Sequence, residues 1–434
     1  MKRVLIVTYY WPPGGGAGVQ RWVKLSKYFV KQGVIPYVVT VDPTKASYAI
    51  LDPTMEEDVA KEVKVVRTST LEPYGIYKTL LRKKEIPFGG FANEEKQQPK
   101  LTQRIARFIR GNLFLPDARR GWNRFAYKKC CELIEKENID AVITTSPPHS
   151  TQLIGLKLKR KYDLPWLADL RDPWTDIYYY EKLLLTSFSR TRDKKMEKEV
   201  LENAGAVVVV SEDIRKTLLS KSNKLPVEKF HVIPNGFDAD DFKTVQAEQK
   251  ENAFVISYTG TLTDDYRLDG FLEAIKKLNE SPLRLHITGS LPQPIRAKIE
   301  NAAPGKTRFR SHVSHHEAIA QMKAADLLLL VIPDTKGNKG ILTGKLFEYL
   351  ATFKPILCIG PHGDAARIIA TCISGKTFSY DDVNGIASYL EEVIAQWKPH
   401  HKTSAGVPEI VNQFSREKQA TQVLKVMEMI RERG

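Results

Sequence analysis

Short apolar runs alternate with helix-length amphipathic segments through most of this sequence, and that alternation limits the possible folds more than any other feature. Near the N terminus, an apolar run at 3–9 precedes a glycine-rich loop at 14–18 and a helical pattern at 19–31. The same alternation resumes at 141 and continues in the second half from 254 to 371. It predicts an α/β protein with parallel, doubly wound sheets.

The length of 434 residues, 42% of them apolar, is enough for two cores. Because a domain contains roughly 100 to 200 residues, we expect two domains. None of the apolar runs reaches the about 20 residues that a bilayer-spanning helix needs. The Met-Lys-Arg start leads directly into a strand without a signal-peptide cleavage site, and the four cysteines lack metal or redox spacing. We therefore expect a cytoplasmic protein with reduced thiols.

The sequence has 66 lysines and arginines against 51 aspartates and glutamates, which gives a formal charge of +15. Such an excess indicates an anionic partner, and nucleic acid, nucleotide-sugars and anionic lipid head groups all fit it. The basic residues are dispersed over both halves of the sequence, which contains no recognised nucleic-acid-binding module and no aromatic-basic stacking strip. We therefore expect no nucleic-acid partner.

The stretch KGILTGKLFEYLATFKP at 339–355 joins a glycine-containing loop to a helix. Gly340 and Gly344 allow the backbone to approach a ligand. A helix that starts near Leu342 to Lys345 would direct free N–H groups and the positive end of its dipole at an anion. Lys345 adds a charge, and Glu348 lies on the same helix face, in reach of sugar hydroxyls. The alternative is an ordinary surface helix with a weak Lys–Glu ion pair.

Further glycines and polar residues follow predicted strands, at the edge where open α/β sheets bind ligands. In the second half, Gly260 and Gly289 end two strands. In the first half, Arg171 and Asp172 end one strand, and His149 ends the strand before it. A lone histidine in such a turn is more often structural than catalytic. The loop at 14–18 lacks the last glycine of G-x-G-x-x-G, so a NAD site is not favoured.

Three motifs occur along the chain: RDPW at 171–174, VIPNGFD at 232–238 and KLFEYL at 345–350. In this order they resemble the retaining GT-B glycosyltransferases of family 4, the "group 1" transferases, and the resemblance extends over nearly the whole sequence. It implies two doubly wound Rossmann-like domains facing a central cleft. The implied domains are an acceptor-binding domain at 1–238, with the helix at 415–434 packed back on it, and a nucleotide-sugar donor-binding domain at 239–414.

The resemblance also implies roles for individual residues. Glu348 matches the second glutamate of the family's Glu-x7-Glu pattern, which holds the nucleotide ribose, whereas Gly340 stands at the first glutamate, which usually contacts the donor sugar. Arg171 stands where the family has a histidine. The family's diphosphate-clamping arginine and lysine are replaced by Thr261 and Arg267. Arg267 keeps a charge that suits phosphate.

We predict a glycosyltransferase that moves a sugar from a nucleotide diphosphate-sugar to a glycan or lipid-linked acceptor, in the synthesis of a cell-surface polysaccharide or glycolipid. The resemblance implies retention of the anomeric configuration. No metal or other cofactor is expected, since positioned cations and N–H groups can stabilise the leaving diphosphate. Arg267 and Lys345 are expected to be solvated side chains in a cleft. Asp172 or His149 is expected near the acceptor hydroxyl.

The predicted site has three groups of residues. The catalytic group is Asp172, Arg267, Lys345 and Glu348; the donor-binding group is Gly15, Gly16, Gly260, Thr261, Gly289, Ser290, Gly340, Leu342, Thr343 and Gly344; the acceptor-side group is His149 and Arg171.

Two alternative functions remain open. One is a nucleotide-sugar epimerase, with acid and base groups drawn from His149, Asp172 and His315, and the other is a non-catalytic binder of an anionic ligand or membrane.

The segment LTQRIARFIRGNLF at 101–114 combines basic and apolar residues at helical spacing. Its apolar face is formed by Ile105, Phe108 and Ile109, and its basic flank by Arg104, Arg107 and Arg110. Such a helix can lie on an anionic membrane surface, and the nearby Trp122 suits a membrane interface. We expect peripheral association with the inner membrane face. The alternative is a helix packed on its domain with the arginines in water.

Overall fold

A computed structural model of the chain describes residues 1–48, 51–72, 101–249, 251–311, 313–398 and 404–433. The chain divides into two compact units, each containing one parallel β-sheet. Unit 1 comprises Met1–Pro234 and Gln419–Gly434, and unit 2 comprises Asn235–Lys418. Within the described ranges, no helix combines the length and the apolar character that crossing a lipid bilayer requires.

Unit 1 is built on a seven-stranded parallel sheet. Its strands are β1 (Arg3–Val7), β2 (Ile35–Val41), β3 (Lys64–Thr68), β4 (Ala141–Ser146), β5 (Trp166–Leu170), β6 (Ala206–Val209) and β7 (Phe230–Val232). They lie in the order β3-β2-β1-β4-β5-β6-β7, and Leu5 of β1 lies between Tyr37 of β2 and Val142 of β4. The strand order reverses between β1 and β4, so their carboxyl ends form the topological switch point of the sheet.

The helices of unit 1 connect these strands. They are α1 (Ala17–Lys31), α2 (Leu101–Leu113), α3 (Asn123–Glu137), α4 (Gln152–Tyr162), α5 (Ser187–Asn203) and α6 (Glu212–Leu219). A short 3-10 turn, Tyr180–Leu183, precedes α5. The helix predicted at 19–31 is confirmed as α1, which begins after Gly16 at a φ of 96°. Glycine adopts this backbone conformation at little steric cost.

Unit 2 repeats the topology with six parallel strands. The strands are β8 (Phe254–Thr259), β9 (Leu283–Thr288), β10 (Thr307–Arg310), β11 (Leu327–Val331), β12 (Ile356–Ile359) and β13 (Gly375–Phe378). Their order is β10-β9-β8-β11-β12-β13, which places the switch point between β8 and β11. The helices are α7 (Ala239–Thr244), α8 (Asp269–Lys277), α9 (Gln293–Ala302), α10 (His315–Ala324), α11 (Gly344–Thr352), α12 (Asp364–Thr371), α13 (Val383–Gln396) and α14 (Pro408–Val411). The last helix of the chain, α15 (Arg416–Glu432), belongs mostly to unit 1.

Both sheets are covered on both faces, as buried parallel sheets require. In β1, Leu5 and Val7 face one core of unit 1, while Val4 and Ile6 face the other. This division follows from the alternation of side chains along a strand. The last helix completes the second core with buried apolar residues at helical spacing: Ala420, Val423, Leu424, Met427 and Ile430. The leucines of β11 divide between two cores of unit 2 in the same way.

A buried ion pair joins α1 to the sheet of unit 1. The Arg21 guanidinium lies 3.2 Å from the Asp169 carboxylate, and neither side chain is exposed. Asp169 also accepts hydrogen bonds from Trp22 Nε1 and Thr145 Oγ1, at 2.8 and 2.7 Å. Arg21 donates to the two carbonyl oxygens at 233–234, directly after β7. The pair therefore holds α1, the end of β5 and the segment after β7 together.

Asp169→Ala is expected to lower the free energy of unfolding by about 3 to 5 kcal/mol, because it leaves the Arg21 charge buried without compensation. Urea denaturation followed by tryptophan fluorescence measures this change. Glu199→Ala is the control, since it removes an exposed pair with Arg160 at 3.1 Å and should cost less than about 1 kcal/mol. Equal effects of the two substitutions would contradict the structural role of Asp169.

Candidate functional site

The predicted anion site lies beside the switch point of the unit 2 sheet. α11 begins at Gly344, and Lys345 in its first turn reaches β8, where Nζ donates a 2.6 Å hydrogen bond to the Tyr258 hydroxyl. In doubly wound sheets, ligands bind outside the carboxyl ends of the strands at this point. The first N–H groups of a helix have no partners within it, and the positive end of the helix dipole lies there. The site combines a cation with backbone donors.

Thr343 is the N-cap residue of α11, but its side chain forms no hydrogen bond with these N–H groups. A threonine at this position commonly accepts a hydrogen bond from a backbone N–H of the first turn. The side chain of Thr343 makes no such bond. Within the described part of the chain, its buried hydroxyl has no hydrogen-bond partner. A buried hydroxyl without a partner costs roughly 1 to 3 kcal/mol, which an anion bound at the start of α11 would recover.

Lys345 lies in an aromatic and partly desolvated environment. Its Nζ atom is 4.3 Å from the centroid of the Tyr258 ring and 5.6 Å from that of the Tyr266 ring. Burial lowers the pKa of Lys345 to about 8, and the Glu348 charge opposes this shift. The expectation that Lys345 is a well-solvated side chain is therefore wrong. At pH 7 the amine is still mainly protonated, and partial burial strengthens its attraction for an anion.

Two glycines at strand ends make room for this lysine. Gly260 and Gly289 follow β8 and β9 with φ values of 122° and 127°. Residues that carry a side chain rarely adopt this backbone conformation. A Cβ on Gly260 would lie 2.9 Å from Lys345 Nζ, and one on Gly289 would lie 2.2 Å from the Gly260 oxygen. The structure thus gives these glycines a packing role, and the predicted close approach of a ligand stays a prediction. Thr261 and Ser290, one residue further on, are both exposed.

Glu348 lies one turn beyond Lys345 on α11. Its Oε1 atom is 2.9 Å from Nε2 of His315, the first residue of α10. The Glu348 side chain is 20% exposed and that of His315 is 35% exposed, so the carboxylate remains accessible. The hydrogen bond orients the carboxylate close to the anion site. It also joins Glu348, the residue predicted to bind the ribose, to His315, for which the sequence suggested only acid–base chemistry.

Arg267 is engaged with two carboxylates. Its guanidinium forms ion pairs with Asp334 at 3.1 Å and with Asp381 at 2.5 Å. It also lies over the Tyr380 ring, 5.2 Å from the centroid. A phosphate would have to compete with both carboxylates for this cation. The structure therefore favours Lys345 over Arg267 as the cation of the anion site.

Two further donor-binding candidates lie in the loop before α11. Gly340 ends a short 3-10 turn, Asn338–Gly340, and is buried. Leu342 is 8% exposed and belongs to the core around Leu346 and Phe347. Because the Leu342 side chain belongs to that core, only its backbone is suited to contact a ligand.

In unit 1, His149 lies buried just beyond β4 and stacks on Trp174. The two ring centroids are 5.2 Å apart and the ring planes differ by 13°. His149 is 7% exposed, and among the described residues neither ring nitrogen has a hydrogen-bond partner. Burial, together with the Arg171 charge, lowers the pKa of His149 to about 3. The imidazole is therefore neutral near pH 7 and offers one donor and one acceptor nitrogen.

Arg171 and Asp172 follow β5, next to the end of β4. Arg171 Nε donates a 3.0 Å hydrogen bond to the carbonyl oxygen of Ser146. Burial raises the pKa of Asp172, and the Arg171 charge opposes the shift. A carboxylate with a raised pKa is a better proton acceptor than an ordinary aspartate. The structure thus brings Arg171, Asp172 and His149 to one edge of the unit 1 sheet.

The glycine loop at 14–18 belongs to the same edge. Gly16 is the cap of α1, and Gly15 directly before it is partly exposed. A Cβ on Gly18 would lie 2.6 Å from Arg171 Nη1, so a side chain at this position would displace the arginine. The loop is therefore packed against the residue that follows β5.

Sequence reasoning missed the aromatic residues around Lys345 in unit 2 and beside His149 in unit 1. Tyr258 and Tyr266 surround the lysine amine, and Trp174 supports His149. A signal for two of them was available, because Tyr258 lies two residues before Gly260 and Trp174 is the last residue of RDPW. Aromatic residues adjacent to strand-end glycines and charges are candidates for the walls of a site.

The model for Glycosyltransferase Family 4 matches residues 81–241, most of which belong to unit 1. A search of curated proteins gives no match.

Several solved structures are similar to this chain over nearly its whole length. A glycosyltransferase from Rickettsia africae has 15% identity and a TM-score of 0.62, covering 99% of this chain and 98% of its own. HepE from Anabaena, in complex with UDP-glucose, has 13% identity and a TM-score of 0.61, covering 99% and 100%. The N-terminal domain of trehalose-6-phosphate phosphatase from Candida albicans has 12% identity and a TM-score of 0.66, covering 99% and 97%. The predicted fold class, two parallel α/β domains of the GT-B kind, is confirmed.

The Lys345 amine is expected to titrate near pH 8, because burial disfavours its charged form. NMR of 13C-labelled lysine, with the Lys345 signal assigned from Lys345→Arg, measures this midpoint. In Glu348→Gln the midpoint should fall further, since the carboxylate charge raises the pKa of Lys345 in the wild type. A wild-type midpoint near the ordinary lysine value of about 10.4 would contradict the burial of the amine.

Proposed function

We propose that the protein is a glycosyltransferase that moves a sugar from a nucleotide diphosphate-sugar, bound by unit 2, to a glycan or lipid-linked acceptor, bound by unit 1. The observation that carries the proposal is the start of α11, where Lys345 lies in the first turn, the first N–H groups have no side-chain cap, and the buried Thr343 hydroxyl has no partner among the described residues. The match to Glycosyltransferase Family 4 and the UDP-glucose complex of the similarly folded HepE support this choice of substrate.

The proposed reaction breaks the bond between the anomeric carbon and the diphosphate oxygen and joins that carbon to the acceptor oxygen, with retention of configuration. Negative charge grows on the leaving diphosphate, where Lys345 and the first N–H groups of α11 would stabilise it. Glu348, oriented by His315, would accept hydrogen bonds from the ribose hydroxyls. Asp172 would accept the proton of the acceptor hydroxyl, since its raised pKa suits it to this role.

The proposal includes no metal ion. Lys345 and the N-terminus of α11 supply the positive charge that the leaving group requires. Among the residues that the structure describes, no three or more His, Cys, Asp or Glu side chains are grouped to hold a metal. Because Lys345 and the start of α11 can supply the positive charge, we propose that transfer depends on side chains and backbone.

The geometry does not favour the alternative of a nucleotide-sugar epimerase. That reaction needs acid and base groups that exchange protons with the sugar near neutral pH. Burial keeps His149 neutral, with a pKa of about 3, so it is a poor proton carrier. His315 is hydrogen-bonded to Glu348. Turnover that needs a separate acceptor would distinguish a transferase from both an epimerase and a non-catalytic binder.

Lys345→Ala is expected to lower nucleotide-sugar turnover by about 10²- to 10³-fold, the effect of losing one group that stabilises developing negative charge. Donors are first selected by thermal shift, because a ligand at 100 times its Kd stabilises the protein by roughly 2.7 kcal/mol. Product formation is then measured in excess EDTA. Lys276→Ala, which removes an exposed lysine paired with Glu273 at 2.7 Å, is the control and should retain activity. Normal turnover by Lys345→Ala, or loss of wild-type activity in EDTA, would contradict the mechanism.

We further propose that unit 1 associates peripherally with the inner membrane face, where synthesis of a cell-surface polysaccharide or glycolipid would take place. On α2, Ile105, Phe108 and Leu113 are 50%, 48% and 72% exposed. Helix α2 packs beside the start of α5 through Asn112, whose Nδ2 donates to the Leu184 oxygen at 3.1 Å. This contact brings a second group of exposed apolar residues, Leu184 and Phe188, beside the first.

The structure changes two details of the predicted membrane surface. Of its three arginines only Arg104 is exposed; Arg107 and Arg110 are half-buried, with Nε of Arg107 and Nη1 of Arg110 buried. The expectation that Trp122 lies at a membrane interface is wrong, because Trp122 is fully buried and donates a hydrogen bond to Thr68 Oγ1 at 2.8 Å. The proposed attachment therefore depends more on exposed apolar side chains than on charge.

The double variant Phe108→Ser, Leu113→Ser is expected to lose most sedimentation with vesicles that contain phosphatidylglycerol, because it removes two exposed apolar side chains of the surface. Val227→Ser is the matched control, since Val227 is 53% exposed but lies outside this surface. Wild-type protein that stays in the supernatant at low salt, or equal binding by all three proteins, would contradict the proposal.

A further inference from the structure

Two buried carboxylates of α5 lie beneath the loop that follows β5. Asp193 and Glu197 are 2% and 1% exposed and lie one helical turn apart. Asp193 accepts hydrogen bonds from Trp174 Nε1 and Tyr180 Oη, both at 2.9 Å. Glu197 accepts hydrogen bonds from the backbone N–H of Thr175 at 3.2 Å and from its hydroxyl at 2.6 Å. Burial of a carboxylate is costly unless it is well hydrogen-bonded, so the geometry of this loop depends on both residues.

The indole ring of Trp174 connects Asp193 to His149 of the candidate site. Trp174 is 2% exposed, and one face of its indole is stacked with the His149 imidazole at 5.2 Å and 13°. Because the described residues provide no hydrogen bond to either nitrogen of His149, its ring is oriented mainly by this stacking and by packing. The indole in turn is oriented by its N–H, which has a charged acceptor in Asp193.

We propose that Asp193 is a positioning residue of unit 1: by accepting the Trp174 N–H it holds the indole against His149, and this buried stack fixes the loop that presents Asp172 to a hydroxyl group of the acceptor. Both imidazole nitrogens are buried, so His149 supports the loop and does not itself contact the acceptor, whose class follows from the proposed role of Asp172 as the acceptor of a hydroxyl proton. The positioning of His149 stands on the structure alone, whereas binding of an acceptor hydroxyl rests on the proposed glycosyltransferase function.

The positioning is tested by NMR of the full chain labelled with 13C,15N-histidine. The His149 signals are assigned from His149→Gln, and stacking on an indole should shift the ring-proton signals of His149 upfield through the ring current. In Asp193→Asn the indole N–H exchanges its charged acceptor for a weaker, neutral amide oxygen, and we expect this upfield shift to be reduced. Asp193→Leu keeps the side-chain volume but removes the acceptor altogether, so it should abolish the shift, and it also serves if Asp193→Asn does not fold.

Two control variants separate positioning from general loosening of the loop. Tyr180→Phe removes the other donor to Asp193, and Glu197→Gln changes the second buried carboxylate of the same helix. Both should retain the His149 shift. His149 signals in Asp193→Leu that coincide with those of the wild type would overturn the proposal. An equal displacement of the His149 signals in Glu197→Gln would overturn it as well.

The acceptor role is tested with UDP and UDP-glucose as probes. UDP affinity, measured by calorimetry, should be unchanged in Asp193→Asn, because the donor is assigned to unit 2. With UDP-glucose and a panel of methyl glycosides as acceptors, kcat/KM for the acceptor should fall about 10- to 100-fold, the range for a misplaced contact group, while the donor KM stays constant. An equal rise in the donor KM would contradict the acceptor role. Absence of UDP binding and turnover in the wild type would instead overturn the proposed function, and the NMR result would still decide the positioning of His149.

Discussion

Parallel pairing around one central strand in each sheet is the constraint on which the candidate sites of unit 1 and unit 2 each depend. In unit 1, β1 lies between β2 and β4, and in unit 2, β8 lies between β9 and β11. Because all strands of a sheet run in one direction, the loops that follow them emerge at one edge. This brings Gly16, His149 and Arg171 to the same edge of unit 1, although they are far apart in sequence. The buried ion pair of Arg21 and Asp169 joins α1, β5 and the segment after β7, and so stabilises that edge.

The candidate site of unit 2 keeps a cation in a place that disfavours its charge. A pKa lowered from 10.5 to about 8 corresponds to roughly 3 kcal/mol against the protonated form of Lys345. The hydroxyl of Tyr258 is a neutral partner, so it offsets only part of the desolvation. A diphosphate at the start of α11 would supply the missing negative charge and would also give Thr343 a hydrogen-bond partner. Binding energy at this site would therefore arise from groups that the protein alone leaves unsatisfied.

Local features of the site follow from the sequence, whereas its contacts do not. The order of Gly344, Lys345 and Glu348 on one helix is fixed by spacing, and the structure places the start of α11 at Gly344, within the predicted range of 342–345. The pairing of Arg267 with Asp334 and Asp381 joins residues 67 and 114 positions apart, which no local pattern can reveal. The hydrogen bond that defines the environment of Lys345 joins it to a tyrosine 87 positions away. Solvation, charge pairing and pKa are set by such distant contacts.

The same limit explains the error at Trp122. A tryptophan near a basic amphipathic helix is compatible with a membrane interface, but its burial depends on β3 and on the Thr68 hydroxyl, which lies 54 positions earlier in the chain.

The central claim, that the start of α11 binds the diphosphate of a nucleotide-sugar, is tested most directly by a crystal structure of the full chain with UDP. The account predicts a phosphate oxygen within about 3 Å of the backbone N–H groups of Gly344 and Lys345 and of the Lys345 amine. A diphosphate bound elsewhere on the protein, with the start of α11 and Lys345 Nζ left without contact to it, would contradict the account.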